Sequence, residues 1–465
     1  MSELGEIRRT VLPNGLTVVL REMHHAPVAS FWVWYRVGSR NEVSGLTGIS
    51  HWVEHMLFKG TPSFPQGEFD KAISREGGMF NGMTWIDFTT YFETLPSGRI
   101  DLALRAEADR MQNAAFDPQE TALERTVIIS ERQGDENSPG FLLGEALQAT
   151  AFVAHPYHHS VIGWQSDLET MTRDELFRHY RTFYAPNNAI VAVAGDFQSD
   201  EMLARIEELF GPIPRGPEIP GRVAQEPAQR GERRVKVEGP GTTSYLEIAY
   251  HAPRATDPDF FAVMILDTIL GGAKGMSLWG GGAPNRSSRL YRALVDTELA
   301  ADAGCGASPT VDPYLFSFSA TVRAGRTLAE VETALLAEIQ RVIDEPVSEA
   351  ELQTAIKQTR AQFAYSSESV TDQGYWLGSS EIVADANWFT TFLDRLQQVS
   401  VGDVQKAAQK YLRPALRNIG WYTPTGETKG DADETAEEGA EAEAEEELRR
   451  EAGGPETGEG QVPNA

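Results

Sequence analysis

The chain has 465 residues, which is more than one ordinary hydrophobic core accommodates and enough for two domains of about 200 residues each. Apolar residues make up 41% of the chain, as in ordinary globular proteins, but no run reaches the roughly 18 to 20 apolar residues of a membrane-spanning helix. The net charge of -27 argues against a nucleic-acid partner, and the single cysteine, Cys305, excludes an internal disulfide and a cysteine-based zinc site.

Strands and helices alternate along the first half of the chain. A hairpin is predicted where two strand-like runs, 10–12 and 16–20, flank Pro13-Asn14-Gly15, a strong turn signal. Helical periodicity follows at 47–58 and at 118–133. Between those helices, residues 80–93 are rich in threonine and aromatic side chains, which favours strand.

The second half of the chain repeats this plan after a break. Residues 211–231 are rich in proline, glycine and arginine without periodicity, which is typical of a linker. Strand and helix patterns then resume and continue to a final strand ending at Tyr422. We therefore predict an α+β protein with domains at 1–210 and 232–425. Residues 426–465 form a tail with many more acidic than basic residues and no aromatic side chain, so we predict that it is disordered.

One pentapeptide in the first domain has the spacing of a metal site. In His51-Trp52-Val53-Glu54-His55 the two histidines are four residues apart on a predicted helix, so both imidazoles can reach one ion. This order, His-x-x-Glu-His, is the inverzincin arrangement, in which the glutamate is the base that takes a proton from water. Two such histidines also occur on helices where they only cap or pack, so the pentapeptide alone leaves both interpretations open. The helix at 118–133 offers Glu120, Glu124 and Glu131 as candidates for a third ligand.

Several longer blocks carry a resemblance to a known family. They are residues 48–61 around the pentapeptide, residues 124–131, Gly78 to Thr84, and the segments 155–163 and 183–196. In these blocks the chain resembles the pitrilysin-type (insulinase-like) zinc peptidases, specifically the short-subunit branch that includes mitochondrial processing peptidase and bacterial peptidasomes.

The resemblance implies specific roles for the matching residues. It makes Glu131 the third zinc ligand beside His51 and His55, and it makes Glu124 an acidic residue that supports a ligand. It also implies that Asn81, Gly82 and Thr84 lie on an edge strand that pairs with the substrate backbone. For the whole chain it implies two homologous α/β-sandwich domains with antiparallel-rich sheets, which form half of a clam-shell chamber.

The chain departs from the family pattern in its second half. Family members often carry an Arg and a Tyr that reach the substrate carbonyl, whereas Val295 and Ala301 stand at the expected positions. Arg289 and Arg292 lie nearby but have the wrong helical phase to substitute. We expect a homologous subunit to supply the missing pair, with a homodimer as the alternative. The glycine-rich segment Gly271 to Gly282 sits where some processing-peptidase subunits have a loop, and its role is left open.

Together these features predict a zinc-dependent endopeptidase with one Zn²⁺ per chain that hydrolyses short or unfolded polypeptides. The polar start, Met1 to Arg9, lacks the order of a signal peptide, so we expect a cytoplasmic protein. Three other functions remain open. They are a non-catalytic assembly subunit of the same fold, a specific processing peptidase, and a metal-binding chaperone that holds peptides without cutting them.

Overall fold

The computed structural model describes residues 6–221, 223–275 and 286–426. The acidic tail after residue 426 lies outside the described residues, as does most of the predicted Gly271 to Gly282 segment. Predictions about those two segments therefore stay predictions.

The strands are β1 (Ile7–Val11), β2 (Thr17–Glu22), β3 (Val28–Tyr35), β4 (Met79–Thr84), β5 (Thr89–Pro96), β6 (Ala189–Gly195), β7 (Arg233–Gly239), β8 (Tyr245–His251), β9 (Ala300–Ala307), β10 (Leu315–Val322) and β11 (Asn418–Pro424). The helices are α1 (Ile49–Leu57), α2 (Glu68–Arg75), α3 (Asp101–Asn113), α4 (Pro118–Asp135), α5 (Pro139–Ala151), α6 (Gln165–Thr170), α7 (Arg173–Phe183), α8 (Ser199–Phe210), α9 (Phe260–Gly271), α10 (Leu328–Asp344), α11 (Glu349–Tyr365), α12 (Val370–Val383), α13 (Ala386–Thr390), α14 (Phe392–Gln397) and α15 (Val401–Tyr411).

The first half of the chain forms a six-stranded sheet in the order β1-β2-β6-β3-β5-β4. Its pairs are antiparallel except β2 with β6, and β4 pairs only with β5, so β4 is an edge strand. Central strand β3 buries both of its faces. Phe31, Val33 and Tyr35 join the core beneath α1, α3 and α7, whereas Trp32 and Trp34 join a separate core on the opposite face. Burial on both faces explains why this strand reads as a continuous apolar run.

The second half forms a five-stranded sheet in the order β7-β11-β8-β10-β9, with only β7 and β11 parallel. Its core packs against α9, α10 and α11, and β7 and β9 are its edge strands. Between the sheets, the described residues of 211–231 contain no helix or strand. The predicted fold class, α+β with two antiparallel-rich sheets covered by helices, is confirmed.

Each half lends one helix to the sheet of the other half. α12 packs on the first sheet, and α5 packs on β7, β8 and β11 of the second. The contact of α12 depends on Gly374 and Gly378, where an added Cβ would lie 2.3 Å and 2.0 Å from the rings of Trp32 and Trp34. This exchange fixes the two sheets against each other through buried apolar surface. Among the described residues, no helix combines the length and apolar character needed to span a bilayer.

Candidate metal centre

Helix α1 carries the pentapeptide and is fixed at its start. Gly48 precedes the helix with φ of 86°, a left-handed conformation that favours glycine. Buried Glu42 accepts hydrogen bonds from the amides of Gly48 and Ser50 at 2.8 and 2.9 Å. A carboxylate at a helix start satisfies amides that have no partner within the helix. Glu42 therefore holds the first turn of α1, which contains His51.

Helix α4 brings the third side chain to α1. It begins at Asp117, whose carboxylate accepts from the amides of Gln119 and Glu120, and it continues past Glu131. One ligand atom from each of His51, His55 and Glu131 lies within 4.8 Å of the others. Glu131 Oε2 is 3.8 Å from His51 Nε2 and 3.7 Å from His55 Nε2. Residues 76 positions apart in sequence thus face one point in space.

The protonation states at this point follow from burial and neighbouring charge. Burial, with the adjacent charge of His55, lowers the pKa of His51 to about 3, so His51 is neutral and one of its ring nitrogens keeps a lone pair. Burial alone would lower the pKa of His55, but its hydrogen bond with Glu124 and the surrounding carboxylates raise it overall. Burial raises the pKa of Glu131. Its side chain is still 44% exposed, so this corner is open to solvent.

Glu124 lies one layer behind the three candidate ligands. Its carboxylate accepts a hydrogen bond from His55 Nδ1 at 2.7 Å and forms an ion pair with Lys59. Burial opposes ionisation, but these two contacts hold the pKa of Glu124 below its ordinary value. Because Nδ1 of His55 is committed to Glu124, Nε2 is the nitrogen left for an ion.

Glu54 lies on α1 between the two histidines and is buried, with 7% of its surface exposed. Burial raises its pKa, and hydrogen bonding by the side chain and backbone of Thr84 opposes that rise. The Tyr91 hydroxyl donates to the Glu54 carbonyl oxygen at 3.3 Å and holds this turn of the helix. Thr84, predicted to bind substrate, thus lies close to the predicted base.

The predicted substrate edge is β4. Asn81 is exposed on it, and its side-chain oxygen accepts from the Gly82 amide at 2.8 Å. An added Cβ at Gly82 would lie 2.9 Å from the Phe58 ring, so the glycine lets β4 approach α1 closely. Among the described strands, β4 therefore has a free edge, and on it the Asn81 side chain covers the Gly82 amide.

The three side chains fit a zinc ion. Two imidazoles in their neutral form and one carboxylate are the usual donors of a catalytic zinc site. Their separations of 3.7 and 3.8 Å are close to the ~3.3 Å edge of a tetrahedron with bonds of about 2 Å. Within the described residues, they are the one His/Cys/Asp/Glu group close enough to share an ion.

The positions of the expected Arg and Tyr carry no such groups. Val295 ends a short π-helical turn, Tyr291–Val295, and Ala301 is exposed on β9. Arg289 is buried and donates to both oxygens of Glu351 at 2.9 and 3.1 Å, so it is committed to a structural ion pair. Arg292 is exposed.

Two residues of this centre had no predicted role. Lys59 lies two residues past the end of α1, where helical spacing does not apply, so no sequence signal indicated its contact with Glu124. Glu42 lies in a loop before the helix, where no periodicity indicates a contact, so only the fold reveals its role.

The fold and this site together define a class of protein. The insulinase family (peptidase family M16) matches residues 17–164, and the peptidase M16 inactive domain matches residues 170–359. The chain therefore belongs to the M16, or insulinase-type, family of metallopeptidases, as its motifs predicted. It is 29% identical over 418 residues to the zinc protease PqqE of Helicobacter pylori, across 89% of this chain and 91% of that protein.

Other relatives extend the comparison. The chain is 27% identical over 413 residues to a probable mitochondrial-processing peptidase subunit beta of Arabidopsis thaliana, across 88% of this chain and 76% of that protein. The crystal structure of a protease from Helicobacter pylori superposes with a TM-score of 0.85 at 28% identity, covering 90% of this chain and all of that one. Complex III2 from Candida albicans contains a similar chain with a TM-score of 0.74 at 16% identity, covering 90% of this chain and 96% of that one, which is a likeness of fold alone.

Proposed function

We propose that this protein is a zinc-dependent endopeptidase that hydrolyses peptide bonds in short or unfolded polypeptides, located in the cytoplasm. The observation that carries the proposal is the meeting of His51, His55 and Glu131 at one point, with buried Glu54 beside them on α1. A complete donor set with an adjacent carboxylate base is what hydrolysis requires, whereas a structural zinc site needs no base.

The chemistry divides between the ion and the protein. A zinc ion held by His51, His55 and Glu131 would supply Lewis-acid polarisation of the scissile carbonyl and acidification of water. Glu54 would take a proton from the attacking water and then deliver it to the leaving amine. Thr84 would help to orient the Glu54 carboxylate, because it lies close enough to oppose the rise in the pKa of Glu54. Glu124 would hold the ring of His55 through Nδ1.

Substrate would bind as an added strand on β4. Backbone pairing with an exposed edge gives affinity with little dependence on sequence. The Asn81 side chain covers the Gly82 amide, so its carboxamide would have to turn aside before a substrate carbonyl could accept from that amide. Asn81 and Gly82 therefore act on the substrate, and Thr84 acts on the base.

The protein would work with a second subunit. Val295 and Ala301 offer no hydrogen-bond donor for the transition state, and Arg289 is committed to Glu351. We propose that a homologous chain supplies the Arg and Tyr and closes a chamber over the exposed Glu131, with a homodimer as the alternative. The similarity to a processing-peptidase beta subunit favours a second candidate function, a specific peptidase that removes targeting segments.

Hydrolysis of a quenched fluorescent peptide library tests these proposals. The purified chain is assayed alone and mixed with any homologous chain that co-purifies, and products are identified by mass. Activity that appears only in the mixture is expected. Activity of the chain alone at the full rate would reject the required partner. One defined cut within targeting segments, in place of many cuts, would favour the processing peptidase. Bound zinc without hydrolysis in any mixture would reject the peptidase and leave the assembly subunit or the peptide-holding chaperone.

A further inference from the structure

A cavity of about 410 Å³ lies between the edges of the two sheets, and no residue of the candidate metal centre lines it. Met83 on β4 and Trp85 just after it line one side, and Gly306 and Ala307 on edge strand β9 line the other. Helix α12 closes it with Tyr375 and neighbouring side chains. The cavity thus exists only because the two halves of the chain pack together.

The lining is mainly apolar and aromatic, and its charged residues are Asp87, Asp267 and Lys274. Lys274 Nζ lies 2.6 Å from Asp267 Oδ1, and the Cys305 thiol lies 3.1 Å from the same carboxylate oxygen. Because Lys274 and Asp267 pair with each other and Asp87 accepts hydrogen bonds within the protein, an occupant does not have to supply a charge. Cavities of this kind bind apolar groups, and a few placed polar groups orient them.

The geometry of β4 connects the cavity to a bound peptide. Along a strand, successive side chains point to opposite faces. Gly82 and Thr84 face α1, with Thr84 against Glu54 and Gly82 against the Phe58 ring. Met83 faces the other way and packs with the core under α12, and it lines the cavity. A peptide strand beside β4 alternates in the same manner, so residues whose side chains point away from α1 face the cavity.

We infer that this cavity is a substrate side-chain pocket, which receives one large apolar side chain, preferably aromatic, from a peptide paired with β4. The inference rests on the proposed function, because it assumes that peptides bind at the β4 edge. A directly opposite residue on the added strand would lie about 5 Å from Met83, within reach of the cavity mouth. The enzyme would then combine sequence-independent backbone pairing with one anchoring side chain.

A matched pair of glycines on β9 makes the pocket testable. A Cβ at Gly306 would have only the Lys274 Nζ near it, at 4.0 Å, so Gly306→Phe can be accommodated and would fill the cavity. Gly304 lies on the same face two residues earlier, and a Cβ there meets nothing within 4 Å. Gly304→Phe adds the same bulk to the same strand outside the cavity lining, so it is the control.

The test scans one phenylalanine through each position of an alanine- and serine-based host peptide. Wild type should cut the best phenylalanine peptide at least roughly 10-fold more efficiently than the host, at a fixed offset between phenylalanine and the cut bond. Gly306→Phe should lose that preference, and Gly304→Phe should keep it. Thermal unfolding of both variants checks that each is folded. The wild-type scan needs neither variant, so it tests for the phenylalanine preference even if a variant fails to fold.

Peptide binding to the Glu54→Gln variant separates the two proposals. The Glu54→Gln variant should bind the phenylalanine peptide more tightly than the host peptide, and adding Gly306→Phe should abolish that difference. This result would support the pocket even if wild type hydrolyses nothing. Hydrolysis by wild type with equal efficiency at every phenylalanine position would overturn the pocket and leave the peptidase intact. A phenylalanine preference that survives in Gly306→Phe would also overturn it.

Discussion

Replacing Glu124 with glutamine tests whether the residue behind His55 tunes the metal site. Glu124 has a 5% exposed side chain and lies 2.7 Å from His55 Nδ1. Glutamine keeps the shape and an acceptor oxygen but removes the charge that both fixes the ring and makes Nε2 a stronger donor. Loss of such a partner weakens metal affinity by roughly 10- to 100-fold, which is about 1.4 to 2.7 kcal/mol.

The assay is competition for zinc between the protein and a chromophoric chelator at neutral pH. Glu120→Gln is the matched control, because it makes the same change on the same helix. The Glu120 amide donates to the Asp117 carboxylate, and this backbone contact is unaffected by the substitution. Glu124→Gln should lose affinity while Glu120→Gln keeps it. Equal affinity of Glu124→Gln and wild type, with both proteins folded, would refute the role of Glu124 in holding His55.

Two further predictions concern stability. Gly378→Ala places a Cβ 2.0 Å from the Trp34 ring and should lower the free energy of unfolding by about 1 to 3 kcal/mol. Gly134→Ala, at an exposed position of α4, should not lower it. Equal denaturation midpoints for the two variants would contradict the tight contact of α12. Glu247 is partly buried on β8, and desolvation there raises its pKa to about 7 from 4.5, so ionising it destabilises the fold increasingly as pH rises between those values. Glu247→Gln should therefore exceed wild type in stability by up to about 3 kcal/mol above pH 8 and match it near pH 4.5, in denaturant titrations at both values. A difference that is the same at both would rule out ionisation as its cause.

The candidate site was only partly predictable from sequence. Histidines four apart share a helix face by geometry, so His51 and His55 were within reach of sequence reasoning. Nothing in the interval from His55 to Glu131 fixes how α4 crosses α1, and Glu131 was assigned by resemblance alone. The structure places it beside both histidines, and its role as a ligand remains a proposal.

The fold was predictable where the signal is local and was missed where tertiary contacts decide. The hairpin at Asn14-Gly15 has a turn signal and forms between β1 and β2. The strand-like run 80–93 is in fact two strands, β4 and β5, and the turn between them contains neither glycine nor proline. That turn is held by buried Asp87, which accepts from the Tyr157 hydroxyl at 2.5 Å and from the Val311 amide at 2.9 Å. Both partners are distant in sequence.

The exchanged helices were beyond sequence reasoning for a related reason. Gly374 and Gly378 weaken the helical propensity of α12. They are explained only by the tryptophan rings of β3 against which they pack. The interdomain cavity depends on the same packing, so no single segment predicts it.

Zinc content and peptide hydrolysis, measured together in the same samples of wild type and Glu54→Gln, test the central claim most directly. The candidate ligands are untouched in the variant, so both proteins should hold one zinc per chain, and only wild type, with its partner, should hydrolyse peptides. Hydrolysis by zinc-loaded Glu54→Gln at the wild-type rate would contradict the assignment of Glu54 as the base, and wild type without bound zinc would contradict the metal centre itself.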